Sequence, residues 1–479
     1  MSDFSPMMRR IRAEKSLNSK IPKKGRIRLL LILLLFGAAL KFGGPLLVSN
    51  AQNSVSGTEV RKQSVKKDQT AEKKSVSVDE SKKKSSMMSF SEMAAILKQS
   101  PYDMSKISDT INHLQDSLVY HYSLDSSLQN LGNRLMKRYK PLYGAIIAMH
   151  PNSGRVLSIV SFKHDSVSDL GNISFRSIFP AASVFKTVTA AAAIEEAGFD
   201  AQSIVKHVGR NHTLYKFQLE KEPGQFNEIT LEKAYALSIN PVFAKVGIYS
   251  LGKGKLESFS HKFGFNTVIP FELEIEMSQM GSGDSLFELA ELASGFNQQT
   301  TISPLHGALM ASAISENGKM PYPFVVDSVT RKDSCVYKAQ NRVWKTPIKG
   351  HTAGELRKMM QCVSSYGTAR KSFKYIRQSA RFNNIQYGGK TGSVDKDGIG
   401  RVDWFVGFAR DPADSTQRIA VSVVTAHGAY WTVHSSFIAA EYFRHYLKSV
   451  QDKQKKEMVE QSAITLNYTP GKLDQKTQM

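Results

Sequence analysis

The chain has 479 residues, of which 41% are hydrophobic and 22% are charged, so most of it can bury a core. This composition excludes a wholly disordered protein and a membrane protein with many spans. The net charge is +22, but residues 1–100 hold 20 basic and 8 acidic residues, so over half of the excess precedes residue 101. That uneven distribution argues against a nucleic-acid-binding protein, and we expect no nucleic-acid partner.

The first predicted element is an apolar segment, residues 29–48, which follows the strongly basic residues 1–28. Its length is enough for one helix to cross the hydrocarbon layer of a membrane, about 30 Å. The basic flank predicts a cytoplasmic N-terminus and places the rest of the chain on the other side. A cleaved signal peptide is the alternative, because Ser49-Asn50-Ala51 has the small-x-small pattern of a cleavage site.

Residues 49–112 predict a polar, flexible linker, because most of them are Ser, Lys, Gln, Val, Asp and Glu. Within and just beyond the end of this stretch, residues 90–114 show weak helical periodicity that could form one or two short helices. We expect the folded domain at residues 113–450 and a flexible tail rich in Lys and Gln at residues 451–479.

The predicted domain begins with strands, continues with helices, and ends with strands and a closing helix. Strand patterns cover 118–123, 144–150, 155–161, 384–391, 403–409 and 417–425. Helical patterns cover 124–139, 184–197, 231–249, 283–297, 304–316, 352–365 and 434–448. This order favours an α+β fold in which both ends of the domain form one mixed sheet and the helices form an insertion.

The first motif with chemical potential is Ser183-Val184-Phe185-Lys186, at the start of an alanine-rich helix. A lysine three residues after a serine lies over the same helix face, within reach of its hydroxyl. A serine becomes a nucleophile when a base takes its proton, and a partly desolvated lysine can be that base. The same spacing occurs elsewhere in the chain, so the apolar surroundings and the helix start distinguish this pair.

Two more motifs follow along the chain. Ser238-Ile239-Asn240 stands between apolar residues before Pro241, which indicates a helix break with both polar side chains on one side. The local alternative is a pair of helix-capping residues. Lys390-Thr391-Gly392-Ser393 follows a strand with glycines, where a ligand backbone can lie against the strand and a carboxylate can be gripped. A simple turn is the alternative there.

In this order the three motifs resemble Ser-x-x-Lys, Ser-x-Asn and Lys-Thr-Gly of the penicillin-binding proteins, the serine D,D-transpeptidases of bacterial cell-wall synthesis. The resemblance covers about residues 115–448 and includes several other stretches. These are Leu124-Asp125 with Leu128-Gln129, Gly144 to Ala148, Pro151, Gly154, Thr301 to His306, Asn317-Gly318-Lys319, Gly367-Thr368-Ala369 and Trp404 to Phe408. It implies a penicillin-binding/β-lactamase-like α+β fold: an antiparallel five-stranded sheet flanked by helices, plus an all-helical subdomain. In this chain a transmembrane helix and a disordered linker would precede that fold.

The resemblance also implies catalytic roles. Ser183 would attack the carbonyl between the two terminal D-alanines of a peptidoglycan stem peptide. Lys186 would accept the serine proton, and Ser238 would pass a proton toward the departing D-alanine.

Substrate-binding roles are implied for the other motif residues. Asn240 would hold an amide of the peptide, and Lys390 and Thr391 would bind its terminal carboxylate. Gly392 would let the peptide approach as an added strand. The backbone N–H groups of Ser183 and Ser393 would form an oxyanion hole.

From the same resemblance we expect a cross-linking reaction, with no metal and no cofactor. The expected ligands are stem peptides and β-lactam antibiotics, and other cell-wall synthesis proteins are expected partners. The expected location is the bacterial inner membrane, with a single span and the catalytic domain on the periplasmic side.

Some features depart from the family or leave alternatives open. Mostly polar residues, 49–117, occupy the place where membrane-anchored relatives usually carry a large pedestal domain, so the resemblance is to a class B-like enzyme without that domain. A D,D-carboxypeptidase, a β-lactamase or a non-catalytic membrane-tethered sensor could use the same fold. Asn240 argues against a class D β-lactamase, which usually has an apolar residue there. His427 and His434 are interpreted as ordinary histidines.

The two cysteines, Cys335 and Cys362, leave no disulfide framework and no four-thiolate metal site. We expect both to be unpaired, buried thiols, and a disulfide between them outside the cytoplasm is the alternative.

Overall fold

The computed structural model describes residues 87–100, 106–114, 116–221 and 224–467, with side chains as far as residue 462. These residues belong to one of the two structural units of the chain, residues 80–479. The predicted membrane helix at 29–48 and most of the predicted linker lie outside the described residues. Among the helices that are described, none is both long and apolar enough to cross a membrane.

The secondary structure is labelled in chain order. The strands are β1 (Ser108–His113), β2 (Asp116–Tyr122), β3 (Tyr143–Met149), β4 (Val156–Lys163), β5 (Ile204–His207), β6 (Asn227–Thr230), β7 (Met320–Pro321), β8 (Val326–Arg331), β9 (Ser334–Lys338), β10 (Val343–Lys345), β11 (Gln386–Lys396), β12 (Gly400–Arg410) and β13 (Arg418–His427). The α-helices are α1 (Phe90–Gln99), α2 (Ser126–Tyr139), α3 (Lys186–Ala197), α4 (Leu231–Ala236), α5 (Asn240–Lys245), α6 (Gly252–Phe263), α7 (Leu286–Ser294), α8 (Pro304–Ser315), α9 (Gly350–Ser365), α10 (Lys374–Arg377) and α11 (Ser435–Asn467).

A five-stranded antiparallel sheet in the order β11-β12-β13-β3-β4 organises the fold. Helix α8 packs against β3, β12 and β13, and helices α2 and α11 also pack against the sheet. Every residue of β3 is buried, as expected for a strand covered on both faces. The five-stranded antiparallel sheet that the family resemblance implies is confirmed. It is built from both ends of the domain, as the order of elements predicted, but it is antiparallel rather than mixed, and the predicted strand 118–123 belongs to a second sheet.

Helix α8 is buried around its whole circumference, because it lies between the sheet and other helices. Its Gly307 makes this close approach possible, since a Cβ at that position would lie 2.5 Å from Ser422 Oγ of β13. The helix is therefore the packed layer that joins the sheet to the helical insertion.

A second sheet, in the order β1-β2-β8-β9, was absent from the sequence prediction. Helix α1 packs against it, and Met93 and Leu97 of this helix are fully buried. The Tyr120 hydroxyl of β2 donates a hydrogen bond to the Met93 carbonyl over 3.1 Å. The predicted domain start at residue 113 is thus too late, because α1 and β1 supply apolar side chains to the folded part.

The insertion between the sheet strands is helical in α3 to α7, but the prediction of an all-helical subdomain is wrong in one respect. Strands β5 and β6 form a small antiparallel sheet within it. The predicted helix 231–249 is divided: α4 ends at Ala236, and α5 begins only at Asn240. The predicted tail also differs, since α11 continues to Asn467.

The two cysteines are unpaired, as predicted. Cys335 is exposed and Cys362 is half-buried, so the expectation that both are buried is wrong.

Candidate active site

Ser183 lies in a short 3₁₀ turn, Ala182–Phe185, that leads directly into α3. It is half-buried, whereas the other residues of the turn are buried. The preceding Ala182 has a φ of 49°, a left-handed conformation that is unfavourable for a residue with a side chain. Surrounding structure must therefore enforce the shape of this turn.

Gly295, just after α7, supplies part of that support. A Cβ at Gly295 would overlap the carbonyl oxygen of Ala182, and its φ of 65° also favours glycine. On the other side of the turn, the Trp404 indole N–H donates to the Pro180 carbonyl over 2.9 Å. The turn Ala182–Phe185, which we call the serine turn, is therefore packed between the helical insertion and strand β12.

Lys186 begins α3 and is fully buried. Its Nζ donates hydrogen bonds to Ser183 Oγ at 2.7 Å, to Asn240 Oδ1 at 2.7 Å and to the Ser294 carbonyl at 2.6 Å. Burial, and secondarily the charge of Lys390, lower the pKa of Lys186 well below its usual 10.5. An amine held against the serine hydroxyl with a lowered pKa is equipped to accept its proton.

Ser238 and Lys390 form the second contact between motifs. Ser238 has a φ of 57° and occupies the break between α4 and α5, which turns its hydroxyl toward β11. Lys390 Nζ donates to Ser238 Oγ and to the Thr391 carbonyl, both over 2.9 Å. Burial lowers the pKa of Lys390 to about 7, so this ammonium group can bind an anion or pass on a proton near neutral pH.

These contacts connect the three motifs. Asn240 touches Lys186, and Ser238, two residues earlier, touches Lys390. The structure therefore brings Ser183, Lys186, Ser238, Asn240 and Lys390 into one crevice, which is the juxtaposition that the sequence predicted.

Strand β11 borders this crevice through Thr391 and Gly392. The Thr391 Oγ1 lies 2.5 Å from Thr368 Oγ1, just after α9. A Cβ at Gly392 would lie only 3.2 Å from the backbone nitrogen of Ser183 and 3.2 Å from the Ala181 carbonyl oxygen. A glycine thus keeps the strand close to the serine turn.

The Ser393 side chain is engaged by the neighbouring strand. Ser393 pairs with Asp403 across β11 and β12, and its Oγ donates to Asp403 Oδ1 over 3.0 Å. The other oxygen, Asp403 Oδ2, accepts from the backbone N–H of Ser435 over 2.7 Å. Burial raises the pKa of Asp403 to about 7. This carboxyl group ties the end of the Lys-Thr-Gly strand to the start of α11.

Sequence reasoning missed several residues at the site. One is His212, which hydrogen-bonds the backbone of Ser238 and whose pKa is lowered by burial and next by the charge of Lys186. Ser294 contributes a backbone carbonyl, so no side-chain pattern could have revealed it. Asp403 stands among apolar residues of a predicted strand, and a lone acid in that setting was an available signal. Thr368 was part of a stretch with family-like residues, but its contact with Thr391 depends on the tertiary structure.

Neither of the two histidines near β13 forms a hydrogen bond with Ser183 or Lys186 in the described part of the chain. His427 is buried and lies 2.9 Å from Thr425 Oγ1, and burial lowers its pKa to about 4. His434 Nδ1 is 4.0 Å from Asp403 Oδ2. Within the described part of the chain, no group of three or more His, Cys, Asp or Glu side chains is placed to hold a metal ion.

Comparison with known proteins agrees with this geometry. The family model described as the penicillin binding protein transpeptidase domain matches residues 144–448. Stage V sporulation protein D of Bacillus subtilis is 25% identical over 341 residues, which are 65% of this chain and 50% of that protein. Peptidoglycan D,D-transpeptidase PbpA of Mycolicibacterium smegmatis is 24% identical over 326 residues, or 60% of this chain and 62% of the relative. The chain thus spans less than two thirds of the length of these two relatives.

Solved structures share the fold. The crystal structure of PBPA from Mycobacterium tuberculosis has a TM-score of 0.57 and 20% sequence identity, and the match covers 68% of this chain and 80% of that one. The D,D-transpeptidase domain of a peptidoglycan glycosyltransferase from Eggerthella lenta has a TM-score of 0.57 and 24% identity, with 69% and 83% covered. The M. tuberculosis protein has also been solved as an imipenem acyl-enzyme complex.

Proposed function

The chain belongs to the penicillin-binding protein transpeptidase family, and from this premise we propose that it is a peptidoglycan D,D-transpeptidase that works through a serine acyl-enzyme. The observation that carries the proposal is the 2.7 Å contact between Lys186 Nζ and Ser183 Oγ, made by a fully buried amine with a lowered pKa. Stem peptides ending in D-alanyl-D-alanine are the proposed substrates. β-Lactam antibiotics are the proposed covalent ligands, because their strained ring mimics that dipeptide.

In the first half of the reaction, Ser183 Oγ attacks the carbonyl carbon between the two D-alanines while Lys186 takes the hydroxyl proton. The negative charge that develops on the carbonyl oxygen is stabilised by the backbone N–H groups of Ser183 and Ser393. Each such donor is worth about 3 kcal/mol in the transition state. The close approach of Gly392 to the Ser183 nitrogen supports this placement.

Release of the terminal D-alanine requires a proton on its nitrogen. Ser238 is proposed to deliver it, because its hydroxyl is hydrogen-bonded to the Lys390 ammonium group. Lys390 and Thr391 also bind the terminal carboxylate, and the Asn240 side chain orients the peptide amide.

In the second half, an amine of a neighbouring stem peptide attacks the ester carbonyl. The new amide bond forms as the bond to Ser183 Oγ breaks. The amine gives up a proton to Ser238, which replaces the one that left with D-alanine, and Lys186 returns its proton to Ser183 Oγ. Water in place of the amine would give a D,D-carboxypeptidase or, with a β-lactam as the acyl donor, a β-lactamase. A protein that never acylates would be a tethered sensor.

We also propose that residues 29–48 anchor the chain in the bacterial inner membrane as a single span. The basic residues 1–28 then lie in the cytoplasm, and the transpeptidase domain lies on the periplasmic side. Residues between this span and helix α1 act as a linker, and cell-wall synthesis proteins are the expected neighbours there.

The test uses the full-length protein and a fluorescent penicillin. A covalent band is expected for the wild type, whereas Ser183→Ala should give none. A stable adduct together with cross-linked product from synthetic stem peptides supports the transpeptidase. Rapid loss of the adduct with turnover of a chromogenic cephalosporin indicates a β-lactamase instead. Labelling that persists in Ser183→Ala contradicts the assignment of the nucleophile.

A further inference from the structure

Asp403 of β12 is a buried acid beside the active-site strand β11, and it accepts hydrogen bonds from two separate parts of the fold. Only 4% of the residue is exposed. Ser393 Oγ donates to one carboxylate oxygen over 3.0 Å, and the backbone N–H of Ser435 donates to the other over 2.7 Å. Ser435 is the first residue of α11, which packs against β12 and β13. The carboxylate therefore fastens the edge strand of the sheet to a helix that lies on the sheet.

The backbone of Ser393 faces the crevice. In an antiparallel pair, the N–H and C=O groups of every second residue point away from the partner strand. The Thr391 carbonyl accepts from Lys390 Nζ over 2.9 Å, which places it on the crevice side of β11. The Asp395 carbonyl is on that side as well, since it accepts from the Gln298 side chain, which lies in the segment between α7 and α8. Ser393 is midway between these two strand residues, so its own N–H and C=O share their direction.

The side chain of Ser393 is what fastens this residue to β12. Ser393 and Asp403 lie directly opposite each other in the register of the two strands. Because the backbone groups of Ser393 point away from β12, the pair is of the kind without backbone hydrogen bonds, in which the Cα atoms approach to about 4.5 Å. That close spacing brings the hydroxyl and the carboxylate together. Their contact consequently takes the place of a backbone hydrogen bond at this point of the strand.

The position of the Ser393 N–H matters because it is one of the two proposed oxyanion donors. The other donor is the N–H of Ser183, and a Cβ at Gly392, the neighbour of Ser393, would lie 3.2 Å from that nitrogen. Such donors stabilise the developing charge when they lie about 2.7 to 3.1 Å from the oxyanion. A shift of the strand by about 0.5 Å would move one donor out of this range.

We propose that Asp403 is a positioning residue of the oxyanion hole: through the Ser393 hydroxyl it holds the Ser393 N–H where negative charge develops on the substrate carbonyl. This inference rests on the proposed function. Asp403 is itself held in place, because the Ser435 hydroxyl donates to its backbone carbonyl over 2.7 Å. The role concerns the rate of acylation rather than the binding of the ligand, because the charge on the carbonyl oxygen develops only as the serine attacks.

Stopped-flow acylation of the full-length protein by a penicillin tests this role. The dependence of the rate on penicillin concentration gives the Kd of the noncovalent complex and the rate constant of acylation, k2. The measurements are made at pH 8, because burial raises the pKa of Asp403 to about 7 and the carboxylate is then mostly ionised. In Asp403→Ala we expect k2 to fall about 10- to 50-fold, less than the cost of removing a donor outright, and the Kd to change by less than about twofold.

Two further variants test whether Asp403 acts through the Ser393 hydroxyl. In Asp403→Asn the amide can donate to Ser393 Oγ and accept from the Ser435 N–H, so k2 should stay within about threefold of the wild type. Ser393→Ala removes the hydroxyl but keeps the backbone N–H, so its k2 should fall as far as in Asp403→Ala. Adding Asp403→Ala to Ser393→Ala should then lower k2 little further, because the effects of residues in contact are not additive.

Asp414→Ala is the matched control. Asp414 lies between β12 and β13 and also ties α11 to the sheet, because one of its oxygens accepts from Gln454 Nε2 over 2.8 Å. This variant should lower the Tm but leave k2 unchanged. It measures how much a loosened α11 alone affects the rate.

Three results would overturn the proposal: a wild-type k2 in folded Asp403→Ala, an equal fall of k2 in Asp414→Ala, or effects of Asp403→Ala and Ser393→Ala that multiply in the double variant. If Asp403→Ala does not fold, Ser393→Ala decides, and an unchanged k2 in that variant refutes the positioning role. If the wild type forms no adduct, the proposed function fails and this role fails with it. Acylation of the wild type with a k2 that these variants do not change refutes the positioning role alone.

Discussion

Replacing Lys186 by methionine removes the buried amine while keeping a flexible apolar chain of similar length. The amine donates to Ser183 Oγ, to Asn240 Oδ1 and to the Ser294 carbonyl, so the variant loses the proton acceptor and two structural contacts together. General base catalysis contributes about 10²- to 10⁴-fold to a rate. We therefore expect the rate of acylation by penicillin to fall by that factor, which is about 3 to 5 kcal/mol in the activation free energy.

The effect on stability should be much smaller. Leaving two buried acceptors without donors costs about 1 to 3 kcal/mol each. Against this, the variant no longer buries a cation, and the lowered pKa of Lys186 shows that this burial is unfavourable for the charged form. The two terms oppose each other, so the Tm of Lys186→Met should stay within a few degrees of the wild type.

Lys186→Arg separates the loss of charge from the loss of a base. A guanidinium group keeps the positive charge but does not give up its proton at any accessible pH, so it should be as inactive as methionine. In the wild type the acylation rate should rise with pH as Lys186 deprotonates. Because burial and Lys390 lower its pKa, this rise should be complete well below pH 10.5.

The assay is stopped-flow or quenched-flow acylation, with the adduct quantified by intact-protein mass spectrometry and folding checked by thermal unfolding. If folded Lys186→Met acylates within tenfold of the wild-type rate, Lys186 is not the base and the reasoning is refuted.

Two further predictions concern residues that shape the site, and a third concerns Glu272, a buried carboxyl group that accepts hydrogen bonds from the backbone N–H groups of Val325 and Val326 at the start of β8. Gly295→Ala should lower the Tm and slow acylation, because the added Cβ would overlap the carbonyl of Ala182 and the positive φ is strained; unchanged thermal unfolding would contradict this. Asp403→Ala should lower the free energy of unfolding by about 2 kcal/mol or more, measured in urea, because it leaves the donors of Ser393 and the α11 backbone unpaired; Asp403→Asn should lower it less. Burial raises the pKa of Glu272 from 4.5 to about 7, so the native state binds more protons than the unfolded state between these pH values, and stability falls as the pH rises. Glu272→Gln should therefore gain about 2 to 3 kcal/mol relative to the wild type between pH 4.5 and pH 7, and a pH-independent difference would refute the assignment.

The sequence predicted the reactive side chains of the site better than the surrounding groups that hold them in position. Ser183, Lys186, Asn240 and Lys390 were recognisable because hydroxyl, amine and amide groups at set spacings carry a chemical meaning. The contribution of Ser294, by contrast, is a backbone carbonyl, which every residue has. Its role could be recognised only from the tertiary structure, in which α7 packs against α3.

The same distinction applies to the fold. The five-stranded sheet was predictable because most of its strands are long and apolar, whereas β8 and β9 are short, partly exposed strands with weak patterns. The helix break at Ser238 was signalled by Pro241, yet the pattern 231–249 still favoured one helix. Ser238 has a left-handed φ, and its hydroxyl contacts Lys390, which lies 152 residues later in the chain, so its conformation could not be deduced locally.

Ala182, just before the first motif, and Ser238, in the second, have positive φ angles although neither is glycine. Each such conformation costs about 1 to 3 kcal/mol and persists only where packing enforces it. Next to Ala182 these contacts are the close approach of Gly295 and the hydrogen bond from Trp404 to the Pro180 carbonyl, and at Ser238 the hydroxyl accepts from Lys390. The strained backbone conformations therefore lie at, or next to, the residues that carry the reactive hydroxyl groups, Ser183 and Ser238.

The central claim is that Ser183 forms a covalent acyl-enzyme. Peptide-mapping mass spectrometry of the penicillin-treated, full-length protein tests it most directly. We expect the mass of the opened β-lactam on the peptide that contains Ser183, and on no other peptide. An adduct located on a different residue, or unmodified protein after prolonged treatment, would contradict the account.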